Sequence, residues 1–215
     1  MWSAEPKYEA VLFDLLSALL DSGTLWNAVA GSAENGRRWR TTYLEITYRT
    51  GVYRPYEELV AEAASAVGLA PALAGELAAR YGELRPWPEV GEVLHALRRL
   101  PIRLAVVTNC SRALGATAVA QVGVPIDVVI TAEDAGFYKP DPRTYRLALD
   151  RLSLPADQCL FVAGSAYDLI GTRGVGLPTF WHDRVGMSAP PDTTPPIAHE
   201  STLLTLVDAV ARHVA

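Results

Sequence analysis

The chain has 215 residues, 50% of them hydrophobic, which suits one α/β domain or a core domain with an insertion and excludes a disulfide-stapled miniprotein. Its 19 basic residues against 24 acidic ones give a formal charge of −5, which excludes a general nucleic-acid binder that works by neutralising phosphates. No run approaches the roughly 18 apolar residues of a membrane span, and the N-terminal MWSAEPK lacks the basic-then-apolar pattern of a signal peptide, so a soluble, cytoplasmic protein with no nucleic-acid or membrane partner is expected.

In chain order, residues 8–13 form a short apolar run that stops at Asp14 and reads as a buried strand. Residues 22–84 then contain no strand-like run, but 37–50, 57–67 and 71–81 have helical periodicity. Beyond them, strand-like runs at 104–107, 128–130, 160–162 and 179–181 alternate with helical patterns at 90–100, 113–121, 143–152, from 168, and at 203–213. Such alternation predicts right-handed crossovers and an α/β fold, a parallel sheet with helices on both faces. The helical block reads as an inserted cap domain (22–84) over a core made of 1–21 and 85–215. Residues 188–196 are a Pro-rich loop. Cys110 and Cys159 have neither a CxxC partner nor histidines at metal-ligand spacing, and read as reduced, buried thiols.

Ligands of an open parallel sheet bind beyond the carboxyl ends of its strands. The residues at those ends are Asp14, Thr108 with Asn109, Lys139 in the loop after the third run, and Ser165 with Asp168 after the fourth. Only two of the 19 basic residues are lysines, Lys7 and Lys139, against seventeen arginines. A compact ammonium at 139 can touch a carboxylate that a planar guanidinium would crowd.

Four segments carry a resemblance: 11–21 (VLFDLLSALLD), 106–110 (VVTNC), 138–145 (YKPDPRTY) and 161–168 (FVAGSAYD). In order and spacing they resemble the four motifs of the haloacid dehalogenase superfamily, over nearly the whole chain. The resemblance implies a Rossmann-like core with Asp14 as nucleophile. Most members of that superfamily are magnesium-dependent phosphatases, and three positions argue for a different chemistry here. Leu16 stands where the phosphatases place a general-acid aspartate, and a halide, unlike an alkoxide, leaves without a proton. Ala163 stands where they place a magnesium ligand, and phosphoryl transfer leans on a cation to offset its charge. Residues 38–45 (RWRTTYLE) resemble the Trp-Arg…Leu-Glu segment of L-2-haloacid dehalogenases, whose arginine faces the departing halide; by position this is Arg40.

The subfamily resemblance implies hydrolysis of short 2-haloacids to 2-hydroxyacids, without metal or cofactor. Asp14 attacks the halogen-bearing carbon, halide leaves toward Arg40 and Asn109, and water hydrolyses the aspartyl ester. Thr108, Lys139 and backbone N–H groups after Asp14, at Leu15 and Leu16, would hold the substrate carboxylate, and local charge is expected to be positive where that anion enters. Leu16, Leu44, Tyr56 and Tyr167 match pocket-wall positions, and Tyr145 matches the motif tyrosine near Lys139. Asp168 would orient Lys139 and, with Ser165, the hydrolytic water.

The chain departs from the pattern at Ala18, where a hydroxyl residue is expected, at Ala163 in place of serine, at Ser165 in place of asparagine, and at Leu16 in place of tyrosine. Ala18 and Ala163 take two hydrogen-bonding groups away from the nucleophile, so slow ester hydrolysis or a different substrate is expected. The competing readings are a small-molecule phosphatase, a non-catalytic member of the superfamily, and, ranked last, a Cys110 thiol nucleophile, for which none of His95, His182, His199 and His213 sits in a pairing motif. A homodimer stays open.

Overall fold

A computed structural model of the chain describes residues 6–211. Among these, six strands line up in one sheet: β1 (Ala10–Phe13), β2 (Arg103–Thr108), β3 (Val128–Thr131), β4 (Cys159–Ala163), β5 (Thr179–His182) and β6 (Ala198–Glu200). Their order is β3-β2-β1-β4-β5-β6, and every neighbouring pair is parallel. The central strand β1 is buried at all four positions, because an all-parallel sheet is covered on both faces. Alternation sends Val11, Phe13, Val106 and Val162 to one core layer and Leu12, Ala105, Val107 and Phe161 to the other. Each large apolar side chain so buried contributes about 1.5–3 kcal/mol.

The first layer packs against helices α5 (Val90–Leu97), α6 (Arg112–Ala120) and α10 (Leu206–Val210), the second against α8 (Pro142–Leu152) and α9 (Asp168–Arg173). A single short turn, α7 (Ala132–Ala135), follows β3 and is closed by a reciprocal capping box between Thr131 and Asp134. Pro142 opens α8 at a position where its missing N–H costs nothing, and Asp141 accepts from the Arg143 N–H at 2.9 Å.

Between β1 and α5 lie four helices, α1 (Ser22–Val29), α2 (Ala33–Thr50), α3 (Tyr56–Ala66) and α4 (Leu73–Ala79), that pack against one another. Trp26, Trp39, Tyr43 and Tyr56 form a chain of ring contacts through their centre, with centroids 4.6–5.5 Å apart. The first of these helices is not visible in the periodicity. It starts because the Asp21 carboxylate accepts from the Thr24 N–H and hydroxyl, an N-cap with no long apolar stripe behind it. Strand β6 is also unanticipated: it is three residues long and half-exposed at the sheet edge. The C-terminal helix is shorter than expected, and His213 lies outside the described residues.

After β1 the chain makes one wide turn over Leu15–Leu19, closed by the Leu20 N–H donating to the Leu15 carbonyl at 2.9 Å. This turn lies directly on Gly164 at the end of β4. A Cβ there would meet the backbone N of Ala18 and the Ser17 side chain, so only glycine permits the approach. Gly164→Ala should therefore lower the unfolding free energy by about 1–3 kcal/mol, as overpacking does. A urea titration checks this, the midpoint falling at unchanged slope.

Candidate active site

The carboxyl ends of β1, β2 and β4 and the loop after β3 converge on a cavity of about 110 Å³. At roughly 10–15 Å³ for one water, that space suits several waters or a short organic acid. Asp14 enters it straight from β1, its N–H tied to the Val162 carbonyl at 2.9 Å. Lys139 Nζ donates to Asp14 Oδ1 at 2.7 Å and lies 3.0 Å from Asp168 Oδ1. The other Asp14 oxygen accepts from the Ser17 N–H (2.9 Å), the Ser17 hydroxyl (2.6 Å) and the Ala18 N–H (3.3 Å). All three charged groups are at most 6% exposed.

Burial is the strongest influence on Asp14 and opposes its charge, yet the Lys139 ammonium and the Ser17 donors together outweigh it and hold the carboxyl below the ordinary range. Burial works against the Lys139 charge too, and the two flanking carboxylates overcome it and raise the ammonium's pKa. For Asp168 the balance is the reverse. Burial, with the Asp14 charge behind it, exceeds the help from Lys139 and pushes this carboxyl up. One ammonium shared by two carboxylates favours the one it bonds more closely.

Asn109 Oδ1 accepts from the Lys139 N–H (2.7 Å) and Asn109 Nδ2 donates to the Lys139 carbonyl (3.2 Å), so this side chain fixes the lysine's own peptide. The Tyr43 hydroxyl in turn donates to the Asn109 carbonyl at 2.9 Å. Thr108 is fully buried on the cavity wall. Tyr145 lies one layer back and donates to Asp168 Oδ1 at 2.7 Å without lining the cavity. Asp168 Oδ2 is buried with no hydrogen-bond partner among the described residues.

From the helical block, Arg40, Leu44 and Tyr56 face the cavity, as do Leu16, Ser165 and Tyr167 from the core. The structure thus brings together all the expected site residues except two: Tyr145, just described, and Leu15, whose side chain is fully buried in the core. The wide turn points Leu15 inward and Leu16 outward. The N–H groups of Ser17 and Ala18 bond Asp14 itself and are not directed at a ligand. Cys110 is buried beside Thr108, and burial pushes its thiol up to about 12, the opposite of an activated nucleophile.

A sequence-family model described as haloacid dehalogenase-like hydrolase matches residues 8–176. The chain belongs to the haloacid dehalogenase-like hydrolase family. It is 30% identical over 194 residues to (S)-2-haloacid dehalogenase H-109 of Pseudomonas putida, covering 83% of this chain and 87% of that protein. A crystal structure of a dehalogenase with an intermediate complex superposes with a TM-score of 0.84 at 26% identity, over 96% of this chain and 99% of that one. Over a shorter span, 101 residues, it is 38% identical to a plasmid phosphoglycolate phosphatase of Cupriavidus necator, 46% of this chain and 43% of that protein.

For a hydrolase of this family, the sequence reading missed four cavity features. The hydroxyl absent at Ala18 is supplied one residue earlier, by Ser17. Tyr48 reaches from α2 to within 3.4 Å of the Ser165 hydroxyl and packs on the Tyr167 ring at 4.2 Å. Trp87 lines the cavity and donates to the Ser17 carbonyl at 2.9 Å. Arg184, from the loop after β5, also lines it, with its guanidinium paired to Glu89 and donating to His182 Nε2. A helical spacing from Arg40 to Leu44 and Tyr48 was the one signal that could have pointed to Tyr48.

Lys139→Met should leave two buried carboxylates facing each other and lower the unfolding free energy near neutral pH by roughly 3–5 kcal/mol. The loss should shrink as pH falls, because a carboxyl whose folded-state pKa is raised regains stability when it takes up a proton. Urea titrations of wild type and variant across pH measure both effects.

Proposed function

We propose that this protein hydrolyses short 2-haloacids to 2-hydroxyacids through an ester formed on Asp14. The observation that carries the reading is a buried carboxylate, held ionised by Lys139 and Ser17, in the same small cavity as the Arg40 guanidinium, which has no carboxylate partner among the described residues. One Asp14 oxygen attacks C2 in line, the carbon–halogen bond breaks, and the halide leaves with the bonding pair toward Arg40. A guanidinium in a largely aromatic and aliphatic pocket stabilises that developing charge without having to reorganise. Trp26, Tyr43, Tyr56 and Trp87 exclude water and fix the approach, which a weak carboxylate nucleophile needs.

Water then attacks the Asp14 carboxyl carbon. The alcohol oxygen of the product derives from Asp14, and the carboxylate regains an oxygen from water, so C2 is inverted once. Asp168, which lines the cavity, suits a role in positioning that water, with Ser165 and the Tyr48 hydroxyl beside it. Thr108 and Lys139 are the groups we assign to the substrate carboxylate. Asn109 acts by holding Lys139 in place.

The same reading is metal-independent. Ala163 offers no ligand atom and the Lys139 ammonium already occupies the position between the two carboxylates; among the described residues no three His, Cys, Asp or Glu side chains converge as a metal site. We take residues 22–84 as a cap domain over the core (1–21 and 85–215), since α1–α4 pack mainly on one another while Tyr43 and Tyr48 reach across to Asn109 and Ser165. We place the enzyme in the cytoplasm: both cysteines are unpaired, and no described helix is long and apolar enough to cross a membrane.

A halide-release screen over 2-haloacids, run with and without EDTA and beside small phosphoesters, is the direct test. Release of halide insensitive to EDTA is expected; magnesium-stimulated phosphate release without halide release overturns the reading in favour of a phosphatase. Asp14→Ala should abolish halide release and Arg40→Ala should lower it by about 10²–10³-fold, as loss of an oxyanion-type donor does, with circular dichroism unchanged. Turnover in H₂¹⁸O should place label in Asp14.

The pH dependence has a definite sign. Asp14 stays ionised below its ordinary 3.8, whereas Asp168 loses its charge above 3.8 as pH falls. In the free enzyme Asp168 is therefore the first of the two carboxyls to take up a proton as pH falls. Carboxyl-carbon NMR of the free enzyme across pH should show Asp168 protonating before Asp14, and the reverse order would contradict this division of charge.

A further inference from the structure

A second, more open cavity of about 220 Å³ adjoins the active-site cavity, and Gly23, Arg40 and Val185 line both. The polar part of its wall is Arg37, Arg40, Asn27 and Thr41, with no Asp or Glu. Arg37 and Arg40 are three residues apart on α2 and so project from one side of the helix. Neither pairs with a carboxylate among the described residues, so both guanidiniums are free to meet a ligand. Two like charges one turn apart weaken a helix. The pair has no structural use visible in the fold.

The packing of α1 on α2 builds this wall. A Cβ on Gly36 would come within 2.6 Å of the Asn27 backbone, so only glycine lets α1 lie close enough for Asn27 to join the lining. The result is a shallow, mostly apolar chamber with two guanidiniums, an amide and a hydroxyl on its wall, and its inner wall is the same arginine that faces the nucleophile's cavity.

Resting on the dehalogenase reading, we infer that this outer chamber is a binding site for one small monovalent anion, in series with the inner face of Arg40. The shared chemistry fits the halide on its way out and the haloacid carboxylate on its way in. An anion held by a single guanidinium in a water-poor pocket leaves slowly. A second, weaker station next to it lets the ion move in steps, the arrangement by which pores combine binding with release. Arg37 is exposed and touches no reacting atom, so it is a positioning residue for the anion.

The test uses the whole protein and two probes, bromide and propionate, with sodium sulfate holding ionic strength constant. Crystals soaked in sodium bromide should show anomalous density between Arg37 and Arg40 in the wild type and none there in Arg37→Gln. In steady-state assays Arg37→Gln should weaken inhibition by bromide about five-fold, the size expected for one partly exposed charge, while the single-turnover rate of Asp14 esterification stays at the wild-type value. Competition by bromide alone assigns the chamber to the departing halide, and competition by propionate alone assigns it to the incoming acid. Absence of either ion from the chamber, or inhibition identical in Arg37→Gln and wild type, overturns the inference. The crystallographic arm needs no turnover. A protein that releases no halide from any haloacid but binds bromide at this place loses the functional reading and keeps the anion site.

Discussion

The Lys139 ammonium between two buried carboxylates is the constraint around which the rest of the site is arranged. Two carboxylates at this depth cannot both stay charged without a cation, and one cation cannot satisfy both equally. The structure resolves the competition by geometry. Asp14 receives the shorter bond from Lys139 and three further donors from its own turn, whereas Asp168 receives the longer contact and a single tyrosine hydroxyl. The two carboxyls are pushed in opposite directions, which is the condition for giving them different tasks. The supporting groups serve this arrangement: Asn109 grips both sides of the Lys139 peptide, and Tyr43 grips Asn109 from the helical block.

Charge around the cavity is more finely divided than an overall positive field. Asp14 and Asp168 flank Lys139, Glu89 pairs with Arg184, and Asp21 adds a further carboxylate to the lining. The uncompensated positive charge is confined to the α2 side, at Arg37 and Arg40. Steering by such a patch depends on ionic strength, in contrast to the buried trio, which salt screens far less.

Much of this was legible in the sequence because a parallel sheet buries its strands on both faces and puts polar groups where they end. That rule placed Asp14, Thr108, Lys139 and Asp168 on one rim before any geometry was known. It said nothing about α1, whose start depends on the Asp21 cap instead of a long stripe, or about β6, too short to show alternation. Leu15 and Leu16 could not be separated by counting, since the wide turn after β1 follows neither the period of a strand nor that of an α-helix. Tyr48, Trp87 and Arg184 come from three distant segments and meet only through packing.

The departures from the family pattern read differently once the turn is seen in place. Counted by position, Ala18 and Ala163 are hydroxyl groups lost from the surroundings of Asp14. In the structure Ala18 is fully buried, its N–H points at Asp14, and its carbonyl accepts from His182 Nδ1 at 2.9 Å. His182 Nε2 accepts from the Arg184 guanidinium, so the imidazole must be the neutral Nδ1–H tautomer, and burial lowers its pKa in the same sense. With Gly164, these small residues let the turn settle onto the end of β4, and that close docking brings the Ser17 hydroxyl within 2.6 Å of Asp14. A hydroxyl at 18 in place of the methyl would have to find room in a fully packed position that already has both backbone groups engaged. The hydroxyl that bonds Asp14 comes from one residue earlier in the turn, and the small side chains are what make that placement sterically feasible.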